Sequence, residues 1–264
     1  VTTIGTGLAT TAKLVNLNTL ADIGAASGIG RGLSTSDATN AASLVFGGLS
    51  TAGIAYTGTT SVSIDRLFTL NGGFTGAGGQ IANNSANNST LILNKTNAIT
   101  FGTGATVAQT LTLGGTSTGD NRINLQITDN GALTTSLNKI GAGLWILGNA
   151  NNSYTGTTTI GTTTVAGGVL QAVDGSSLPN ASYLVLGSGT TGGGVFQSSG
   201  EFTRNVGTTA AANTVTIGAA TATTAAVGFS AGNSKLTLAF GGTGSPTPLT
   251  WGSGGFMGVT GTST

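Results

Sequence analysis

Seven carboxylates and eight cations are the whole ionic inventory of this 264-residue chain, which has no histidine and no cysteine. Cleaving a glycosidic bond takes two carboxylates facing each other across it, so the acidic residues are the first candidates. They are Asp22, Asp37, Asp65, Asp120, Asp129, Asp174 and Glu201. Only Asp120 and Asp129 are near neighbours in sequence, at a spacing that fits successive corners of one coil. No base stands beside them, and Asp accepts backbone N–H groups in turns. The expectation is therefore turn roles, no catalytic residue and no enzyme. Asp65-Arg66 is the most distinctive charged pair; adjacent strand residues point to opposite faces, so Arg66 is expected to bridge backbone carbonyls between coils with its several donors. Without Cys or His the commonest metal ligands are missing. GGFTGAGG lacks the Asp of a calcium-binding repeat, and no P-loop occurs. No metal and no cofactor are expected.

One glycine cluster, GAASGIGRG from Gly24 to Gly32, resembles the glycine turn of short-chain dehydrogenases. That turn should open a long helix, whereas LSTSDATNAAS follows, rich in residues of poor helix propensity. The Tyr-x-x-x-Lys pair is absent, since Thr60, Thr158 and Gly187 stand four residues after the tyrosines. A β-turn crossing is the expectation.

The elements behind these residues are legible in the composition. Gly numbers 47 and Thr 50, Pro only 3, and charged residues make up 6%, against roughly 25% in an average domain. The hydrophobic fraction of 38% and mean hydropathy of +0.26 mark a chain that folds. A net charge of +1 from scattered ions gives no footprint for nucleic acid. No apolar run is long enough to span a bilayer as a helix. From Asn40 onward short β-prone runs such as LVF, LIL, TLTL, LWIL, YLVL and KLTLAF alternate with Gly, Asn or Ser clusters. Leu111 and Leu113 alternate with Thr110 and Thr112, one apolar face against one polar. Asn-Gly and Asp-Gly pairs occur only at Asn71, Asn130 and Asp174, few for a hairpin fold. An all-β fold, a right-handed single-stranded parallel β-helix (β-solenoid), fits best. Coils of about 20 to 25 residues and about a dozen coils are expected. Thr-x-Thr runs are too unevenly spaced for a flat ice-binding array, and the Asn-x-Ser/Thr sequons are those expected of so Asn- and Thr-rich a chain.

The stretch Lys139 to Gln171 resembles the autotransporter-associated β-strand repeat. Lys139, Gly141, Gly143, Trp145, Leu147, Asn151, Tyr154, Thr155, Gly156, Thr158, Gly168, Leu170 and Gln171 stand at the pattern's positions. SDATNAASLVFGG, YTGTTSVSIDRLFTLNGG, TLTLGGTSTGDN and PLTWGSGGF resemble long secreted bacterial proteins built of such repeats. The likeness covers most of Ile29 to Phe256. It implies a parallel β-helix, secreted or on the bacterial cell surface, and no particular activity. Leu144 and Ile146 depart from it, placing aliphatics on the outer strand face, and are the candidate inter-chain contact.

The chain is expected to be a single β-solenoid domain over residues 1–264, a processed chain or a segment of a longer repeat protein. Neither end shows an obvious cap for its strand edges. The leading functional expectation is a non-enzymatic extracellular structural protein, a rigid rod or surface filament that self-associates end to end. The alternative is an adhesin passenger or glycan-binding surface spike with a glycan or cell-surface partner.

Overall fold

The structure is a computed structural model that describes residues 1–5, 13–33, 35–48, 52–73, 78–162, 164–188, 192–218 and 226–242. The expected strand in PLTWGSGGF lies outside them. Short Thr/Leu/Val/Ile runs between glycines dictate short strands. The chain begins with β1 (Thr2–Ile4) and β2 (Lys13–Leu17), then a single helical turn and a half, α1 (Asp37–Ala42). A three-strand cycle follows: β3 (Leu44–Gly48), β4 (Ala52–Tyr56) and β5 (Val62–Ile64); then β6 (Thr69–Gly72), β7 (Gly78–Asn83) and β8 (Leu91–Leu93); then β9 (Thr100–Phe101), β10 (Gln109–Gly115) and β11 (Asn121–Ile123). Beyond it the cycle keeps two strands: β12 (Thr135–Lys139) with β13 (Leu144–Leu147), β14 (Thr158–Ile160) with β15 (Val169–Gln171), and β16 (Leu184–Leu186) with β17 (Gly194–Phe202). Last come β18 (Asn205–Val206), β19 (Thr214–Ile217) and β20 (Val227–Leu238).

Each cycle is one coil, and strands of equal rank stack into three parallel sheets. Their orders are β1-β3-β6-β9, then β18-β19-β16-β14-β12-β10-β7-β4-β2, then β20-β17-β15-β13-β11-β8-β5. The fold is the parallel β-solenoid read from the sequence. In-register pairing puts like residues in rows that run along the coil stack. Ile54, Ile81, Leu113, Lys139, Ile160, Leu186 and Ile217 form one inner row of the second sheet. Asn121, Trp145, Leu170, Phe196 and Phe229 form another in the third. Almost all of these side chains are buried, and the aliphatic and aromatic ones among them belong to one continuous core, so the interior is a column stabilised by apolar area removed from water. Phe196, Phe202, Phe229 and Phe240 pack edge to face at its C-terminal part, with centroids 4.9 to 6.3 Å apart.

Asn and Gly make the corners. The Asn83 amide donates to Ser89 O and to Asn121 Oδ1, and the Asn121 amide to Ser117 O and Leu144 O, linking three coils through buried turns. In the run NANNSY, Asn149 Nδ2 donates to Asn124 O, Asn152 Oδ1 accepts from the Ile127 N–H, and Asn152 Nδ2 donates to Ser177 O. Gly141 and Gly168 adopt φ of 76° and 57°, where a side chain would be strained.

Three expectations need correction. The coils are longer and fewer: register partners lie 21 residues apart at Lys139 and Ile160 but 33 apart at Phe196 and Phe229 and 42 apart at Thr2 and Leu44, because the connections between strands differ in length. Among the described residues eight coils, rather than a dozen, contribute to the second sheet, where β18 adds a further rung against β19 from only nine residues away. Within LSTSDATNAAS a short helix does form. Ser36 and Thr39 make a reciprocal capping box, and Asn40 ties the helix to Asp65 O and Leu67 N. Local caps and one tertiary anchor outweigh poor propensity over six residues.

Candidate functional site

The eight cations divide sharply. Arg66, Lys139 and Arg204 are buried and satisfied by backbone. Arg66 Nε donates to Ala21 O at 2.6 Å, and its Nη2 lies within 2.7 to 3.3 Å of the carbonyls of Asp22, Ala25, Gly30 and Arg31. The expected bridging role is the observed one, and the glycine cluster is the loop that wraps this guanidinium. Burial lowers the Arg66 pKa, opposed by Asp65 and Asp22. Lys139 Nζ donates to Ile140 O, Gly141 O and Gly167 O at 3.0, 2.9 and 2.7 Å. Burial pushes its pKa down to about 7. Arg204 pairs with Asp174 at 2.7 Å and donates to the Ser182 and Pro179 carbonyls. Burial raises the Asp174 carboxyl, and Arg204 pulls it back.

The acidic candidates have turn duties. Asp129 accepts from the Thr135 and Thr155 N–H groups and from the Thr155 hydroxyl. Asp22 and Asp65 clasp two coils reciprocally, Asp65 Oδ1 accepting the Ile23 N–H and Asp22 Oδ1 the Asp65 N–H. Asp37 pairs with Lys95 at 3.4 Å. Asp120 and Asp129 share no hydrogen-bond partner among the described residues, and no three acidic residues there could jointly hold a metal.

Arg122 differs from the buried cations. It sits on the outer face of the third sheet, in a row with Ile146, Gln171, Gln197 and Ser230. Among the described residues the ion pairs are Lys95–Asp37 and Arg204–Asp174, neither involving Arg122. Its Nη1 lies 3.2 Å from where a Cβ on Gly148 would begin, so the glycine makes room for the guanidinium. Beside it runs a groove of about 240 Å³, with Ile146 and Ala172 at its apolar side and Gln171, Ser177, Ser198 and Asn233 among its polar ones. The groove exists because Gly148, Ala150, Ala172 and the serines are small where neighbouring turns could carry bulk. Ser198 is only 2% exposed, and its Oγ has no hydrogen-bond partner.

Leu144 and Ile146 both face outward. Neither belongs to the core cluster, yet Ile146 is only 6% exposed, held between Arg122 and Gln171; Leu144 is half-buried and heads a stripe with Val169 and Val195. The sequence reading found this strand and placed Gln171 in the repeat pattern without a binding role, but missed Arg122 and Ser199. The available signal was parity: Asn121 and Ile123 point inward, which turns Arg122 outward.

The chain is similar to the adhesin BmaC autotransporter of Brucella suis biovar 1 (strain 1330), with 40% identity over 126 residues, 48% of this chain. The matched region spans only 3% of that protein's length. No family model and no solved structure matches the chain.

Proposed function

We propose that this chain is a segment of the surface-displayed passenger of an autotransporter-type bacterial adhesin, a non-enzymatic solenoid shaft whose side walls meet other surfaces. The observation that carries this reading is the 40% identity to an adhesin autotransporter over nearly half the chain, on a parallel solenoid that presents long flat walls. On this reading Lys139 to Gln171 is one autotransporter-associated repeat, and the protein works outside the cell. The test is adhesion: beads coated with the purified chain should bind epithelial cells several-fold better than beads coated with an unrelated solenoid. Adhesion equal to that control would overturn the reading.

A second reading, a rod that stacks end to end, is favoured by one feature. Among the described residues β2 is an outer strand of its sheet, with Leu14 and Val15 39% and 42% exposed. An unpaired apolar strand edge is a template for another chain.

A further inference from the structure

We propose that the groove on the third sheet is a binding site for an acidic saccharide, its carboxylate on Arg122 and its hydroxyls on Gln171, Ser199 and Asn233. The inference deepens the adhesin reading by naming a ligand class and a site.

Four observations carry it. Arg122 is the one cation among the groove's lining residues, which include no acidic side chain, and it has no counter-ion among the described residues. A planar guanidinium of this kind binds a carboxylate through two parallel hydrogen bonds. Gly148 keeps the space it occupies clear, since a Cβ there would meet Asn124 Oδ1 at 2.0 Å and Arg122 Nη1 at 3.2 Å. Ser199 Oγ and Gln171 Nε2 converge on the groove wall, 3.0 and 3.4 Å from where a Cβ on Gly232 would stand, and both residues line the groove. The remaining lining mixes amides and hydroxyls with the aliphatic surfaces of Ile146 and Val173. That mixture suits a sugar, which presents hydroxyls at its rim and C–H groups on its faces.

The groove's direction fits a chain rather than a single ring. It crosses β11, β13, β15, β17 and β20, four inter-strand steps or roughly 19 Å at about 4.8 Å each. Arg122 stands at one end and Asn233 towards the other. A linear oligosaccharide lying along the stack would therefore cross one rung after another, with its acidic unit at β11.

The probe is a galacturonic acid trisaccharide, titrated calorimetrically into the whole chain beside its methyl ester and acetate. The acid should bind, with the ester and acetate each weaker by about tenfold or more, the factor expected for losing one charge-assisted contact. Arg122→Gln should lose about as much, Gly148→Ala should weaken binding by crowding Asn124 and the guanidinium beside it, and Ser199→Ala should weaken it several-fold. Arg31→Gln, remote from the groove, should leave it unchanged. Equal binding of acid and ester, or undiminished binding by Arg122→Gln of native circular dichroism, would overturn the proposal. Beads that adhere to cells as well with Arg122→Gln as without it leave the adhesin reading standing and remove the groove. Saccharide binding without cell adhesion does the reverse, and failure of both removes both.

Discussion

Lys139 occupies an aliphatic row, between Leu113 and Ile160, with its ammonium spent on three carbonyls and no carboxylate near. Burial holds its pKa at about 7, well below the roughly 10.4 of an unfolded chain. Between those values the unfolded chain binds the extra proton, so stability rises with pH, by at most about 1.4 kcal/mol per unit. The cost is fully present below pH 7 and disappears above the unfolded value. Urea midpoints at pH 7 and pH 10 should differ in that direction, and Lys139→Met should remove the difference. The buried pair Arg204–Asp174 makes a second prediction at this scale. Asp174→Asn leaves a buried cation uncompensated and should cost about 3–5 kcal/mol, whereas Asp174→Asn with Arg204→Met should cost clearly less; denaturant unfolding reads both. Arg66 was legible because a guanidinium set beside Asp65 among the apolar residues of SIDRLFTL needs acceptors. Lys139 was legible in principle by its parity with Leu137. Arg204 carried no such signal, because its partner lies thirty residues back, in a turn whose placement depends on coil length.

Strands were read well and turns badly, for one physical reason. A strand in a solenoid is fixed by period-two alternation and by the rung beneath it, both local in the sequence. Turn length has no such constraint, so coils vary from 21 to 42 residues and sequence alone overestimated their number. The groove was illegible for the same reason, since Gly148, Ser177 and Ser198 come from three successive coils. The same logic predicts which deletions survive. Leu137 pairs with Thr158, so removing residues 137–157 takes out one whole coil and lets β10 meet β14 and β11 meet β15. That variant should keep its β circular dichroism and unfold cooperatively at a lower midpoint, as stacked repeats do. Removing residues 137–147 deletes β13, most of β12 and the turn between them but leaves the turn that follows, and should yield an unfolded or aggregated product.

The protein is a column of stacked coils with few charged residues, and among the described residues β2 is an outer strand of the second sheet. If chains pair through that edge, sedimentation should show concentration-dependent growth, and Leu14→Lys with Val15→Lys should abolish it. A single sedimenting species at all concentrations would remove the stacking reading without touching the groove. Architecture was nearly all visible at this scale, because Gly, Thr and low charge are properties of every coil; function was not, because one groove occupies a few residues of a uniform wall. The parallel ladders have one further consequence. Their hydrogen bonds run along the column, so tension applied between its ends would peel rungs singly rather than shear a whole sheet at once. Each coil freed would release its own length of slack, roughly 70 to 150 Å at about 3.5 Å per residue. A tether of this design yields in steps under a passing pull and re-coils when the pull ends, keeping its two attachments joined throughout.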